Sequence, residues 1–222
     1  MADIKRIAMW SGPRNISTAL MRAWENRPDC VVVDEPFYAH YLHATGIDHP
    51  GREQVLRSQP LDWRIVVNEL RAPLPDGCSI HYQKHMAHHL LSGMEGDWLD
   101  DLTHAFLIRD PQAMVASYAR SRDAVTAADL GLHRQVAIWK RVRERSGREP
   151  PVVDSRDVLE QPERMLQRLC SALGVGFDDA MLSWPAGPRE SDGAWAPYWY
   201  ASVQASTGFR PFAERAFDLP ED

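Results

Sequence analysis

The stretch Met9-Trp-Ser-Gly-Pro-Arg-Asn-Ile-Ser-Thr-Ala-Leu20 constrains the fold of this chain more than any other. A strand expected at residues 4–10, apolar from Ile7 to Trp10, ends, a loop turns at Gly12, and an amphipathic helix opens at Ser17-Thr18. A helix start carries unpaired backbone N–H groups and the positive end of the helix dipole. Two hydroxyls and one arginine at that point make a cradle for a phosphate-like group. The same residues would also serve a plain turn in which Ser17 caps the helix. The loop is not the Gly-x-x-x-x-Gly-Lys-Ser/Thr of common ATP and GTP sites. No Lys directly precedes a hydroxyl, and Arg14 stands before the Ser17-Thr18 pair instead.

The rest of the chain repeats the alternation. Strands are expected at 4–10, 30–34 (CVVVD), 78–83, 105–109 (AFLIR) and 151–154 (PVVD). Helices are expected at 17–26, over 51–72 with a break at Pro60, from about Pro111, at 132–144, and at 162–173 with a left-handed stop at Gly174. Strands alternating with helices predict an α/β fold with a mainly parallel sheet. Such sheets bind ligands beyond the carboxyl ends of their strands. After residue 183 the chain becomes rich in Trp, Tyr, Pro and Gly, which reads as a loop-rich aromatic C-terminal cap over 184–222. The length, 222 residues, suits one domain spanning 1–222.

Charge narrows the partners. Lys plus Arg number 25 and Asp plus Glu 31, a net charge of −6, which disfavours a general nucleic-acid or anionic-membrane surface but not a small anionic ligand in a local positive pocket. Three cysteines without a Cys-x-x-Cys point to a reducing compartment rather than a disulfide framework. No apolar run approaches a membrane span, and the first residues lack a signal-peptide pattern, so a soluble cytoplasmic chain is expected.

A second segment lies further on. Phe106-Leu-Ile-Arg-Asp-Pro-Gln-Ala-Met-Val-Ala-Ser-Tyr118 puts Arg109 at a strand end and Ser117 about two helical turns later. Arg offers a planar fork of donors suited to a phosphate dianion. Gly12-Pro-Arg-Asn-Ile-Ser-Thr18 resembles the 5′-phosphosulfate loop of the sulfotransferases that use 3′-phosphoadenylyl sulfate (PAPS), and residues 106–118 resemble their 3′-phosphate segment. The resemblance implies a P-loop NTPase-like three-layer sandwich. It assigns Gly12, Pro13, Arg14, Asn15, Ile16, Ser17 and Thr18 to the phosphosulfate end of PAPS, and Arg109 and Ser117 to the 3′-phosphate. The family usually has Ser-Gly where this chain has Asn15-Ile16. Residues 152–177 resemble a mostly structural region of the family, and Ser206-Thr-Gly-Phe-Arg-Pro211 its late basic loop, with Gly208 and Arg210 as carriers. The implied reaction transfers a sulfuryl group from PAPS to a hydroxyl or amine of a small-molecule acceptor and leaves 3′-phosphoadenosine 5′-phosphate (PAP), without a metal. A P-loop small-molecule kinase and a non-catalytic nucleotide-binding relative are the alternatives.

Sulfuryl transfer to a hydroxyl needs a general base. Asp34-Glu-Pro-Phe37 resembles the family branch in which a Glu after the second strand is the base, which makes Glu35 the first choice. Lys84-His85 resembles the Lys-x-His of another branch with one residue missing, so His85 is the second candidate, with Lys84 as a sulfuryl or acceptor contact beside Arg14. His81, His85, His88 and His89 also invite a metal reading, but no His-Glu-x-x-His or partnering carboxylate accompanies them.

Overall fold

The computed structural model describes residues 4–119 and 126–213. Five strands, β1 (Lys5–Ser11), β2 (Cys30–Asp34), β3 (Ile80–Met86), β4 (Thr103–Ile108) and β5 (Val152–Asp154), form one sheet in the order β2-β3-β1-β4-β5. Every neighbouring pair is parallel. The helices are α1 (Ser17–Glu25), α2 (Tyr38–Thr45), α3 (Arg52–Ser58), α4 (Trp63–Leu70), α5 (Pro111–Tyr118), α6 (Ala127–Leu130), α7 (Leu132–Ser146), α8 (Ser155–Glu160), α9 (Pro162–Leu173), α10 (Ala196–Trp199) and α11 (Ala201–Gln204). Among the described residues, no helix is long and apolar enough to cross a membrane.

β1 is central, and its side chains are buried on both faces. Ile7 and Met9 meet Leu20, Met21 and Trp24 of α1 and Leu166, Leu169 and Leu173 of α9. Ala8 and Trp10 meet Val66, Val67 and Leu70 of α4 and Ile138 and Val142 of α7. This is the three-layer sandwich, produced by period-2 strands whose two faces are both apolar.

Two differences from the expected elements bear on the site. β3 runs on to Met86 rather than stopping at residue 83, although Gln83, Lys84 and His85 are polar. Pairing with β1 at Met9–Ser11 on one side and with β2 at Asp34 on the other carries the strand through them. α2 lies in a segment without any recognised motif. It is held by burial of Tyr38, Ala39, Tyr41 and Leu42 against Val55, Trp195 and Tyr200. The break at Pro60 falls between α3 and α4, and Asp62 caps α4 by accepting from the Arg64 N–H. Gly174 takes the expected left-handed conformation after α9, with φ 71°.

The aromatic segment after residue 183 folds back on itself. An antiparallel bridge pairs Ser183 with Gly208, and Trp184 Nε1 donates to Ser206 Oγ at 3.2 Å. Buried Arg22 of α1 ties it down through Asp192 at 2.5 Å. Residues 214–222 of the expected cap lie outside the described residues.

Candidate active site

The carboxyl ends of the strands open into a cavity of about 770 Å³. One wall begins with the loop after β1. No side chain caps α1; its N-cap is Ile16, in the left-handed region at φ 61° and ψ 12°. Ser17 is therefore the first helical residue and not the cap. Ser17 and Thr18 line the cavity at the helix start, where backbone N–H groups have no intrahelical partner. Arg14 is also left-handed, at φ 61°. Such backbone costs a β-branched residue about 1–3 kcal/mol and persists only where its surroundings enforce it. Asn15 enforces it here: it is 1% exposed, and its Nδ2 donates to the Leu107 carbonyl at the end of β4, 3.0 Å away.

The second predicted segment meets this loop directly. Arg14 Nε donates to Ser117 Oγ at 3.1 Å, and the Arg109 guanidinium donates to the Arg14 carbonyl. Asp110 caps α5 by accepting from the Ala113 N–H at 2.9 Å, which sets the helix that presents Ser117. Pro13, Arg14, Asn15, Ile16, Ser17, Thr18, Arg109, Ser117, Gly208 and Arg210 all line the cavity. Gly12 does not. It sits beneath the loop, where a Cβ would come within 2.6 Å of the Leu130 carbonyl oxygen and 2.7 Å of the Met114 methyl.

The far end of the cavity is built on β2 and β3. Lys84 is fully buried and directs all three N–H bonds to partners: Asp34 Oδ1 at 2.7 Å, Glu35 Oε1 at 2.5 Å and the Tyr200 hydroxyl at 2.9 Å. The Tyr200 hydroxyl in turn donates to Asp34 Oδ2 at 2.6 Å and accepts from Trp195 Nε1 at 2.9 Å. Burial pulls the Lys84 ammonium down, but Asp34 and Glu35 outweigh it and hold its pKa well above the usual lysine value. Burial raises the Glu35 carboxyl above the usual range; Lys84 opposes that and Asp34 adds to it. Glu35 is the third left-handed residue, at φ 40°. Its N–H donates to the Lys84 carbonyl at 2.9 Å, and its own carbonyl accepts from Gln59 Nε2 at 3.1 Å, so the strained backbone is held from both sides. All three non-glycine residues with positive φ among those described, Arg14, Ile16 and Glu35, line this one cavity.

His85 is elsewhere. Alternation along β3 sends Lys84 toward the cavity and His85 to the opposite face, stacked on Trp10 at 4.5 Å and near Phe37 at 5.6 Å. Burial, with the nearby His104, pushes its pKa down to about 3, and it does not line the cavity. The second base candidate is thus a core residue. Lys84 also lines the cavity, with its three N–H bonds directed to Asp34, Glu35 and Tyr200. Among the described residues, no three His, Cys, Asp or Glu groups are placed to hold a metal ion.

Sequence reasoning missed Asp34, Tyr38, His49, Arg156 and Tyr200, of which all but Asp34 line the cavity. Asp34 was visible beside Glu35. Tyr200 was one aromatic among many, and nothing local marks its partner 116 residues away.

Comparison with known proteins identifies the family. Residues 5–220 match the sulfotransferase domain family. The chain is 37% identical, over its whole length, to the Arabidopsis thaliana branched-chain-amino-acid aminotransferase-like protein 1, and 34% identical over 91% of its length to protein 2 of that name. It spans 40% and 36% of the length of those two proteins. Among solved structures, the sulfotransferase domain of the Synechococcus PCC 7002 olefin synthase superposes with a TM-score of 0.58 at 17% identity, covering 95% of this chain and 86% of that one. A sulfotransferase from Alicyclobacillus acidocaldarius gives 0.53 at 15% identity, covering 79% and 83%. These two likenesses share the fold, and the family match extends over nearly all of the sequence: the chain belongs to the sulfotransferase family.

Proposed function

We propose that this chain transfers a sulfuryl group from PAPS to a hydroxyl or amine of a small-molecule acceptor by in-line displacement. The observation that carries the reading is the junction of Arg14, Ser117 and Arg109. Two basic segments about 95 residues apart in sequence meet at the uncapped start of α1. That donor set fits a ligand with phosphate-like groups at two points. PAPS supplies the activated sulfuryl group, carried on its 5′-phosphate.

In this reading the α1 N–H groups, Arg14, Ser17 and Thr18 hold the 5′-phosphosulfate and stabilise charge on the departing phosphate oxygen. Arg109 and Ser117, with Gly208 and Arg210 from the late loop, hold the 3′-phosphate. Glu35 takes the acceptor proton. Its raised pKa makes it a better base than an exposed carboxylate. Lys84, Asp34 and Tyr200 fix its position. Trp199 and Tyr200 bring the cap over the site and limit water there.

The test is release of PAP from radiolabelled PAPS, with Glu35→Gln as the variant. Loss of a general base lowers turnover by roughly 100- to 10,000-fold. Glu35→Gln should do so while still binding PAP. A Glu35→Gln protein that is folded and turns over at the wild-type rate would overturn the base assignment.

A further inference from the structure

At the far end of the cavity, His89 and His88 each bury an Nδ1 that has no hydrogen-bond partner among the described residues, and that of His89 faces Glu35. His89 closes the short 3-10 turn Ala87–His89 after β3 and is 2% exposed. Its ring is clamped between Tyr38, at 4.6 Å and 10° between planes, and Tyr41, at 4.7 Å and 28°. Its Nδ1 is buried, with no hydrogen-bond partner among the described residues. That nitrogen lies 3.9 Å from Glu35 Oε2, the carboxylate oxygen other than the one Lys84 binds. The separation is too long for a hydrogen bond. One oxygen placed about 2.8 Å from each atom would bridge them. Both residues line the cavity.

We propose that His89 Nδ1 and Glu35 Oε2 together seat the reacting group of the acceptor, and that the pair selects a hydroxyl on an uncharged carrier. This rests on the sulfuryl-transfer reading above. Burial, with His88 and His49 nearby, holds His89 well below the usual histidine pKa, so its ring is neutral and carries one proton. The carboxylate beside Nδ1 places that proton on Nδ1. Left unmatched, a buried donor forfeits the hydrogen bond it had to water. A hydroxyl answers both atoms at once: it donates to Oε2 and accepts from Nδ1–H. An ammonium has no lone pair with which to accept. An anionic acceptor meets two carboxylates, Asp34 and Glu35, balanced by one Lys84 whose three N–H bonds are all committed. In the step itself the acceptor oxygen bonds to sulfur. The bond from sulfur to the 5′-phosphate oxygen breaks and its electron pair stays on that oxygen. The acceptor proton passes to Glu35 Oε2 and from there to solvent.

The test compares two variants. His89→Phe keeps a ring between Tyr38 and Tyr41 but has no Nδ1–H. His89→Asn carries an amide nitrogen on Cγ where Nδ1 branches. Each is assayed with PAPS and three probes: 2-phenylethanol, 2-phenylethylamine (an ammonium near neutrality) and 3-phenyllactate (a similar alcohol beside a carboxylate). Cleavage of PAPS by water serves as the acceptor-independent readout. The alcohol should be preferred over the other two. His89→Phe should lower kcat/KM by roughly 2- to 10-fold, the range for one hydrogen bond between uncharged groups. Its affinity for PAP should not change, and His89→Asn should recover part of the loss. Wild-type kcat/KM and unchanged probe ranking in His89→Phe would overturn the proposal. A wild type that binds PAP yet cleaves no PAPS, with water or any probe, would also overturn it. Failure of the wild type to bind PAP would instead remove the sulfuryl-transfer reading on which it stands.

Discussion

Lys84 shows how a single side chain can organise one end of a cavity. Its ammonium is enclosed by Asp34, Glu35 and Tyr200, and none of its N–H bonds remains to reach into the cavity. Breaking a buried ion cluster by removing one partner costs about 3–5 kcal/mol, because the remaining charges lose their compensation. Lys84→Met should therefore lower the unfolding free energy by that amount, read as a fall in the urea midpoint. An unchanged midpoint would contradict the charge arrangement described here. Glu35 was legible in the sequence because Asp34-Glu35-Pro36-Phe37 follows a clear Val-rich strand. His85 was misread because the motif it resembled lacks one residue, and in a strand one residue is the difference between the two faces. The Tyr200 partnership depends on how the cap folds back, which no local pattern encodes.

The element that matters most is the turn from β1 into α1. Gly12 permits a close approach, since a Cβ there would stand 2.6 Å from the backbone oxygen of Leu130. The Met114 methyl could swing aside, but that carbonyl belongs to the end of α6 and cannot move cheaply. Gly12→Ala should cost about 1–3 kcal/mol, as overpacking does, and should weaken PAP binding by displacing the loop. Wild-type stability and affinity in Gly12→Ala would show that the turn is looser than the structure has it. The five strands and the helices beginning at Ser17, Pro111 and Pro162 were legible from apolar runs and from proline at the first helical turn. The end of β3 was not, because Gln83, Lys84 and His85 read as a loop until their pairing with β1 and β2 is known. α2 was not, because its apolar residues answer a cap that is distant in sequence.

For the whole molecule, burial of neutral imidazoles sets the acid limit. His81 and His85 are pushed down to about 4 and about 3, and His89 and His104 are also lowered, by desolvation first in each case. A folded pKa below the unfolded value of about 6.5 means that stability is complete above that pH and falls as the pH drops toward the folded values. Each such group removes up to about 1.4 kcal/mol per pH unit in that window. Glu35, raised in the fold, works in the opposite direction, but it is one group against five, since burial also pushes His88 down to about 4. The Tm should therefore fall steeply between about pH 6.5 and pH 5, and a flat profile there would contradict the buried, neutral assignment. The joint cavity of Arg14, Ser117 and Arg109 can be probed by a thermal-shift titration, with PAP set against ADP and against ATP with magnesium. Saturation at about 100 times Kd adds about 2.7 kcal/mol. For a chain of this size that is a rise of about 5–11 °C. A rise with PAP that ADP does not match, and that Arg109→Ala abolishes, is the predicted result. No rise with PAP, or a larger one with ATP and magnesium, would contradict the account.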